Sequence, residues 1–504
     1  MSSQDSTQPS VVLTKRRRWA VTAGLLLGIF LAALEATVVS TAMPTVVASL
    51  GGLDHYSWVF SAYLLTSTAS VPLWGRLSDL HGRRPVYLTA IALFLVGSML
   101  AGVSQSMLQL VLFRAVQGLG AGGLIPLALT IIGEIYTLTE RTRMQAVFSS
   151  VWGVSSIVGP LVGGLITDAI SWRWVFYLNL PIGLVAAFIV HRTLPDHAPS
   201  PTAYPPASAA QVARNREVTV DWLGGILLFL STTLLLVALS EASLTWALLA
   251  LASMVGLVYV ERTAADPILP FALFRNRTVT VATVVGFLAS MPLFGVIAFI
   301  PLLVQVTTGG SATSAGQILT PIYLTWVLAS IVAARLLLRV GVRVATVLGT
   351  AAIFVSLIAL PWLAVGSSRA WLFADMALMG TGLGFAMLSL LLAVQHSVPR
   401  TELGVATSLN LFARSIGGAV GVATMGAILA AGLGGSARIS PTSLAATGLA
   451  GLSPELRLRM IVSLQRAFAS GAIAAGLAFV AAFWVPPFAG DVKPTASEQL
   501  LAAD

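Results

Sequence analysis

The sequence predicts an all-α polytopic membrane protein of 14 transmembrane helices, ordered six, two and six. Three observations predict it. The chain of 504 residues is 57% hydrophobic and only 9% charged, where soluble domains carry about 25% charge. Apolar runs close to the roughly 20 residues that cross a bilayer recur from end to end. Arginine and lysine are concentrated in alternate connecting segments, as in proteins that obey the positive-inside rule.

The runs follow in order. The first six lie near 20–44, 57–75, 86–104, 108–132, 145–168 and 174–191. Lys15 to Arg18 precede the first, but that run is too long for the core of a signal peptide and reads as a span. Residues 1–192 thus form a six-helix bundle, and 193–220, with its proline-rich stretch Pro195 to Pro206, reads as a cytoplasmic linker. Two extra spans near 222–240 and 244–260 occupy 221–262. The last six lie near 279–304, 314–335, 342–364, 371–394, 404–431 and 467–487, within a second bundle at 263–504. A long extracytoplasmic loop near 432–466 carries a short helix around SPELRLRMIVSLQR.

With the N-terminus inside, 20 of the 28 Lys and Arg fall in inner segments. Six fall outside: Arg173, Arg369, Arg438, Arg457, Arg459 and Arg466. Arg114 and Arg414 lie within spans. This places both termini in the cytoplasm of a multi-pass cell-membrane protein. It also accounts for the net charge of +9 without nucleic acid. Cysteine is absent, and the five histidines form no ligand cluster, so neither disulfide nor metal site is expected. Lysine occurs only at Lys15 and Lys493, outside the spans, which excludes a Walker-type phosphate site and an ATP-driven pump on this chain alone. No Ser/His/Asp constellation suggests an enzyme.

Six spans are used twice. GRLSDLHGRR, Gly75 to Arg84, follows the second span, and ARLLLRVGVR, Ala334 to Arg343, follows the tenth. They agree at Arg76/Arg335, Leu77/Leu336, Gly82/Gly341 and Arg84/Arg343. The fifth span of each six is glycine-rich, with GVSSIVGPLVGG from Gly153 and GGAVGVATMG from Gly417. Duplicated six-helix units are a property of transporters built from parallel repeats.

FLAALEATVVSTAMP, Phe30 to Pro44, holds one carboxylate, Glu35, in an otherwise apolar or small sequence. Gly24, Gly28, Ala32 and Glu35 share a helical face, so the carboxylate points at protein rather than lipid. Arg114 sits at a similar depth in the fourth span. Intramembrane charges are expensive and usually functional, although a structural salt bridge between the two is the other reading. Asp375, near the outer part of the twelfth span, reads equally as a second proton or cation site and as an interface residue.

GRLSDLHGRRP, RAVQGLGAGG from Arg114 to Gly123, and GVSSIVGPLVGG resemble three motifs of the major facilitator superfamily. The six-two-six layout, WRWVFYLNLPIG from Trp172 and ARSIGGAVG resemble its fourteen-span drug:proton antiporters. The resemblance implies the major facilitator fold of two pseudo-symmetric bundles and alternating access. It implies a proton-coupling group of Glu35, Arg114 and Asp375, with glutamate where the family commonly has aspartate. It implies a conformational latch at Gly75, Asp79, Gly82, Arg83 and Arg84, for which an inside charge cluster that sets topology is the alternative. It gives Gly153, Gly159, Pro160, Gly163 and Gly164 to a hinge or sliding seam, where static packing predicts the same residues. Gln117, Trp152, Gln305, Trp326 and Asn410 are cavity candidates that helix packing would also explain, and Arg414 serves either pairing or substrate contact. The expected function is proton-coupled export of amphipathic or lipophilic compounds, cations included, with protons as coupling ion and no cofactor. Export of a lipid or natural metabolite, or a non-transporting receptor or scaffold, are the alternatives.

Overall fold

The computed structural model describes residues 13–136, 138–195, 222–241, 243–264, 271–363, 368–398, 403–433 and 453–487. Most of the expected linker and of the loop after the thirteenth span lie outside these, as do the side chains of Arg76, Asp79 and Trp152.

No strand occurs among the described residues. The first half comprises α1 (Lys15–Leu50), α2 (Tyr56–His81), α3 (Arg83–Gly102), α4 (Met107–Ile135), α5 (Leu138–Ala169), α6 (Trp174–Tyr177) and α7 (Asn179–Thr193). A hairpin of α8 (Trp222–Glu241) and α9 (Leu244–Thr263) follows. The second half comprises α10 (Arg277–Thr308), α11 (Ala312–Leu363), α12 (Arg369–Ser397), α13 (Leu403–Leu433) and α14 (Pro454–Ala482). Eleven helical stretches among the described residues are long and apolar enough to cross a membrane, and Gly153–Ala169 and Leu223–Leu239 are shorter apolar ones. The hydropathy of α2 is lowered by Ser57, Ser61, Thr66, Ser67, Thr68 and Ser70. Below, "inner" names the side on which α1 begins.

Two stretches depart from the expected runs. The sixth run is interrupted at Leu178, between α6 and α7. Pro181 has no N–H to donate to the carbonyl of Tyr177, which removes the bond that would join them. At the other end, the expected short helix and the last span are one helix, α14, which stops at Ala482 rather than 487. Ser453 caps it by accepting from the Leu456 N–H at 3.3 Å, and Pro454 and Glu455 suit a first turn. Its polar start hid it from an apolar-run reading. Arg457 is used there: it donates to the carbonyls of Val306 and Thr307, both at 2.6 Å, and so closes the outer end of α10.

The duplication is visible in three dimensions. In the first half α1 packs on α5 and α7, and α4 on α2 and α3. In the second, α10 packs on α13 and α14, and α12 on both parts of α11. Gly82, between α2 and α3, has φ 90° and ψ 155°. Gly341, which breaks α11 in two, has φ 79° and ψ 163°. Both adopt a conformation that is nearly glycine-only. The halves meet symmetrically, α5 on the first part of α11 and α13 on α2. The hairpin sits at the side, with α8 against α2 and α13.

The core is split by depth. Inner residues of the first half, among them Val21, Leu25, Tyr87, Leu127 and Ile131, make a core of their own. Outer residues of that half, including Val38, Val46, Tyr56 and Leu110, belong to the core of the second half. The halves are therefore fused by apolar packing at their outer ends.

Candidate functional site

Glu35 and Arg114 are brought together by close helix packing. Gly24 of α1 faces Val190 of α7, and Gly28 lies against the Tyr87 hydroxyl of α3, which turns Glu35 inward. The glycines of RAVQGLGAGG point in two directions. Gly118 and Gly122 touch α2 at Tyr63 and Ser67, and Gly120 touches α3 at Ala90 and Phe94. Helix α4 is thereby wedged between α2 and α3, with Arg114 aimed at α1.

Glu35 is fully buried and Arg114 is 2% exposed. Arg114 Nη1 donates to Glu35 Oε1 in an ion pair. The same nitrogen donates to Gln117 Oε1 at 2.7 Å, and Arg114 Nε donates to the Val59 carbonyl at 3.3 Å. The guanidinium carbon lies 4.1 Å from the centre of the Tyr63 ring, a cation–π contact. The second carboxylate oxygen, Oε2, accepts from Asn179 Nδ2 at 2.5 Å. Asn179 also donates to Ser98 Oγ at 2.9 Å, and Ser98 donates to the Phe176 carbonyl at 2.8 Å. Two polar atoms of the network have no partner among the described residues, Gln117 Nε2 and Asn179 Oδ1. Sequence reasoning quoted Asn179 within WRWVFYLNLPIG without assigning it a role. The signal was available: an amide next to the break that Pro181 imposes, in a segment otherwise apolar. Gln117, a cavity candidate from the sequence, is part of this ion-pair network.

Asp375 lies apart, in the second half. It is 5% exposed, and Ser356 Oγ donates to its Oδ2 at 3.1 Å. Gln305 is buried near the outer end of α10, and Trp326 packs against the second half's core. Asn410 is buried on α13 and donates to the Ala282 carbonyl at 3.3 Å. Arg414 is partly buried one turn beyond it.

In the inner loop, Arg83 pairs with Glu134 at 2.8 Å and donates to Ser78 Oγ at 2.5 Å. Arg84 meets His191 at 3.0 Å. These contacts stay within the first half. Gly82 makes the expected turn. Gly75 lies inside α2, and a Cβ there would meet nothing within 4 Å.

The glycines of α5 face two ways, Gly159 and Gly163 toward α1 of the same half and Gly153 and Gly164 across a seam to the second half. Gly159 and Gly163 lie against Thr37 and Thr41 of α1, while Gly164 lies against Thr313 of α11. The Pro160 carbonyl lies against Gly316, and Gly153 faces Val327. The seam closes outward on Asp168, which sequence reasoning missed. Its Oδ1 accepts from the Ala312 N–H at 3.0 Å, and its Oδ2 from the Thr313 N–H at 2.9 Å and the Thr313 hydroxyl at 2.5 Å. A carboxylate of one half thus caps the first helix turn of the other. Elsewhere along the outer ends, the Tyr56 hydroxyl donates to the Ala298 carbonyl at 2.5 Å.

Comparison with known proteins agrees with this architecture. Residues 25–422 match the model of the Major Facilitator Superfamily. The chain is 36% identical over 423 residues to the multidrug transporter protein MdtP of Bacillus subtilis, covering 82% of this chain and 75% of that protein. It is 35% identical over 418 residues to multidrug resistance protein 3 of the same organism, covering 81% and 79%. Among solved structures, a bacterial homologue of the human lysosomal transporter Spinster, inward-facing and occupied, superposes with a TM-score of 0.67 at 15% identity, covering 94% of this chain and 97% of that one. A D-xylose–proton symporter superposes at 0.62 and 14% identity, covering 93% and 98%.

Proposed function

The chain belongs to the Major Facilitator Superfamily, a family of membrane transporters rather than enzymes, and we propose that it is a proton-coupled exporter of amphipathic or lipophilic compounds. The observation that carries this reading is the sealed carboxylate. Glu35 has each oxygen held by a different helix, Oε1 by Arg114 and Oε2 by Asn179. A relative displacement of α1, α4 and α7 must therefore change the environment of its charge. Intramembrane acids placed this way serve proton relays in transporters.

The proposed cycle follows from which ends are closed. Outer ends are joined by the shared core and by the Asp168 cap. At the inner ends Arg83–Glu134 and Arg18–Glu140 pair inside the first half, and Asn276 donates to the Ser397 carbonyl inside the second. This supports an inward-facing state with Glu35 ionised. Substrate then enters from the cytoplasm. Separation of the outer seam presents Glu35 to outside water, where it takes a proton. The neutral carboxyl releases its hold on Arg114, and the return step carries that proton inward.

Fourteen spans with both termini cytoplasmic are part of the same proposal, supported by the charge distribution. The substrate range is supported by the relatives named as multidrug transporters, and by a Gibberella fujikuroi protein named as an efflux pump that is 30% identical over 440 residues. A relative from Aspergillus aculeatus named as a biosynthesis-cluster transporter favours natural metabolites as a second substrate class.

The test is transport by the purified protein in proteoliposomes with an imposed pH gradient, against a panel of amphipathic compounds. Accumulation that follows the pH gradient in the wild type and disappears in Glu35→Gln is expected. Equal accumulation by both proteins would remove Glu35 from the coupling step.

A further inference from the structure

Arg414 has no hydrogen-bond or ion-pair partner among the described residues, although it lies 11 residues into a 31-residue helix. Arg114, also in a helix interior, has Glu35 to compensate it. Among the described residues no carboxylate plays that part for Arg414. Its surroundings are polar, and apart from Asn410 Nδ2, which donates to the Ala282 carbonyl, their side-chain polar atoms are unused among the described residues. Gly286 of α10 faces both side chains: a Cβ there would lie 3.2 Å from Arg414 Cγ and 3.5 Å from Asn410 Nδ2. Thr283 and Ser290 flank Gly286 at helical spacing on the same face of α10. Thr407 and Asn410 precede Arg414 on the facing side of α13.

The hydroxyls of Thr283, Ser290 and Thr407 and Oδ1 of the fully buried Asn410 have no partner among the described residues. Elsewhere in the bundle the hydroxyls of Thr66, Thr232, Thr346 and Thr350 donate to carbonyls one turn back. An unpaired cation in a low-dielectric setting, ringed by idle donors, attracts an anion. Glycine at 286 leaves room beside it.

We propose that Arg414, with Thr283, Thr407 and Asn410, forms a subsite between α10 and α13 that takes the carboxylate of an amphipathic organic anion. The guanidinium and the two hydroxyls donate to the carboxylate, and Asn410 Oδ1 accepts from a neighbouring N–H or O–H of the same ligand. The inference rests on the efflux reading above and gives it a substrate class. It concerns binding in the second half, whereas coupling lies with Glu35 in the first.

The two ideas fail differently under one experiment. Binding of naphthylacetate, naphthylacetamide and naphthylethylammonium to the full-length protein in detergent is measured by equilibrium dialysis, without any gradient. The wild type is expected to bind the carboxylate about tenfold or more tightly than the amide, a difference of roughly 1.4 kcal/mol. In Arg414→Gln the carboxylate-to-amide ratio should fall to about one, and Arg414→Lys should restore part of it. Thr283→Val, which keeps the charge and the side-chain shape, should lower the ratio several-fold, and it serves as the readout if Arg414→Gln does not fold. A wild-type ratio near one overturns the subsite and leaves the efflux reading standing. So does an equal loss of affinity for all three ligands in Arg414→Gln, because that describes a structural role. If none of the three binds, the efflux reading fails and the subsite with it.

Discussion

Asn179 donates to Glu35 Oε2 at 2.5 Å, on the oxygen that Arg114 leaves open, and its own Oδ1 is unpartnered among the described residues. An amide in this position can serve either state of the acid. With Nδ2 toward Glu35 it donates to the carboxylate. Turned over, Oδ1 accepts from the protonated carboxyl. Asn179→Ala removes both options and leaves the Glu35 oxygen without its second donor. An unsatisfied buried polar group costs about 1–3 kcal/mol. The expected outcome is lower thermal stability in detergent together with slower proton-driven exchange. Asn179→Ser, which can donate or accept from a shorter arm, should recover part of the exchange rate. Exchange at the wild-type rate in Asn179→Ala would show that Asn179 only packs.

Removing one partner of the Glu35–Arg114 pair should be worse than removing both charges. Arg114→Met leaves a carboxylate buried among α1, α4 and α7, and breaking a buried pair costs about 3–5 kcal/mol. Glu35→Gln with Arg114→Met leaves two neutral side chains of similar size. The double variant should therefore unfold at a higher temperature than Arg114→Met alone, while neither concentrates substrate. A double variant no more stable than Arg114→Met would mean that the cost comes from lost contacts to Gln117, Val59 and Tyr63 rather than from charge.

How much of this was legible depends on what each residue signals by itself. A lone carboxylate in an apolar run announces its burial, and Glu35 is fully buried in the structure. The matched loops announced a duplication, and Gly82 and Gly341 share one unusual conformation. Asn179 was not legible as a ligand of Glu35 because the two are 144 residues apart and an amide near a helix break reads as local capping. Asp168 was not legible because two of its three donors are backbone N–H groups, which every residue but proline carries. The polar first turns of α14 masked its continuity, so that the short helix around SPELRLRMIVSLQR and the span from 467 read as two elements.

Gly82→Ala and Gly341→Ala should destabilise by similar amounts. Both positions hold φ and ψ values that side chains with a Cβ rarely adopt, at a cost of order 1–3 kcal/mol. The two substitutions act on equivalent corners, so their shifts in unfolding temperature should match within error. A large shift for Gly82→Ala alone would indicate that the first corner carries a constraint beyond backbone geometry, for which the neighbouring Arg83–Glu134 pair is the first suspect.

Asp168 offers the most direct handle on the conformational equilibrium. Its two oxygens accept three donors from Ala312 and Thr313, across the boundary between halves and at the outer end. These bonds exist only while that end is closed. A ligand or contact present in one of two states biases the populations by its own contribution. Asp168→Asn keeps the size, removes the charge and replaces one acceptor oxygen with a donor that faces two other donors. Losing a helix cap costs about 1 kcal/mol, up to about 2, which is roughly a 5- to 30-fold change in a population ratio. The outward-open population should rise by a factor in that range. Spin labels placed at the outer ends of α5 and α11 would report it as growth of a longer distance in double electron–electron resonance, and Asp168→Glu should lie between the two. Because the cap shares no residue with the Glu35 network, the pH dependence of exchange should keep its shape while the turnover rate changes. An unchanged distance distribution in Asp168→Asn would leave the shared apolar core of Val38, Val46, Tyr56 and Leu110 as what holds the outer end shut.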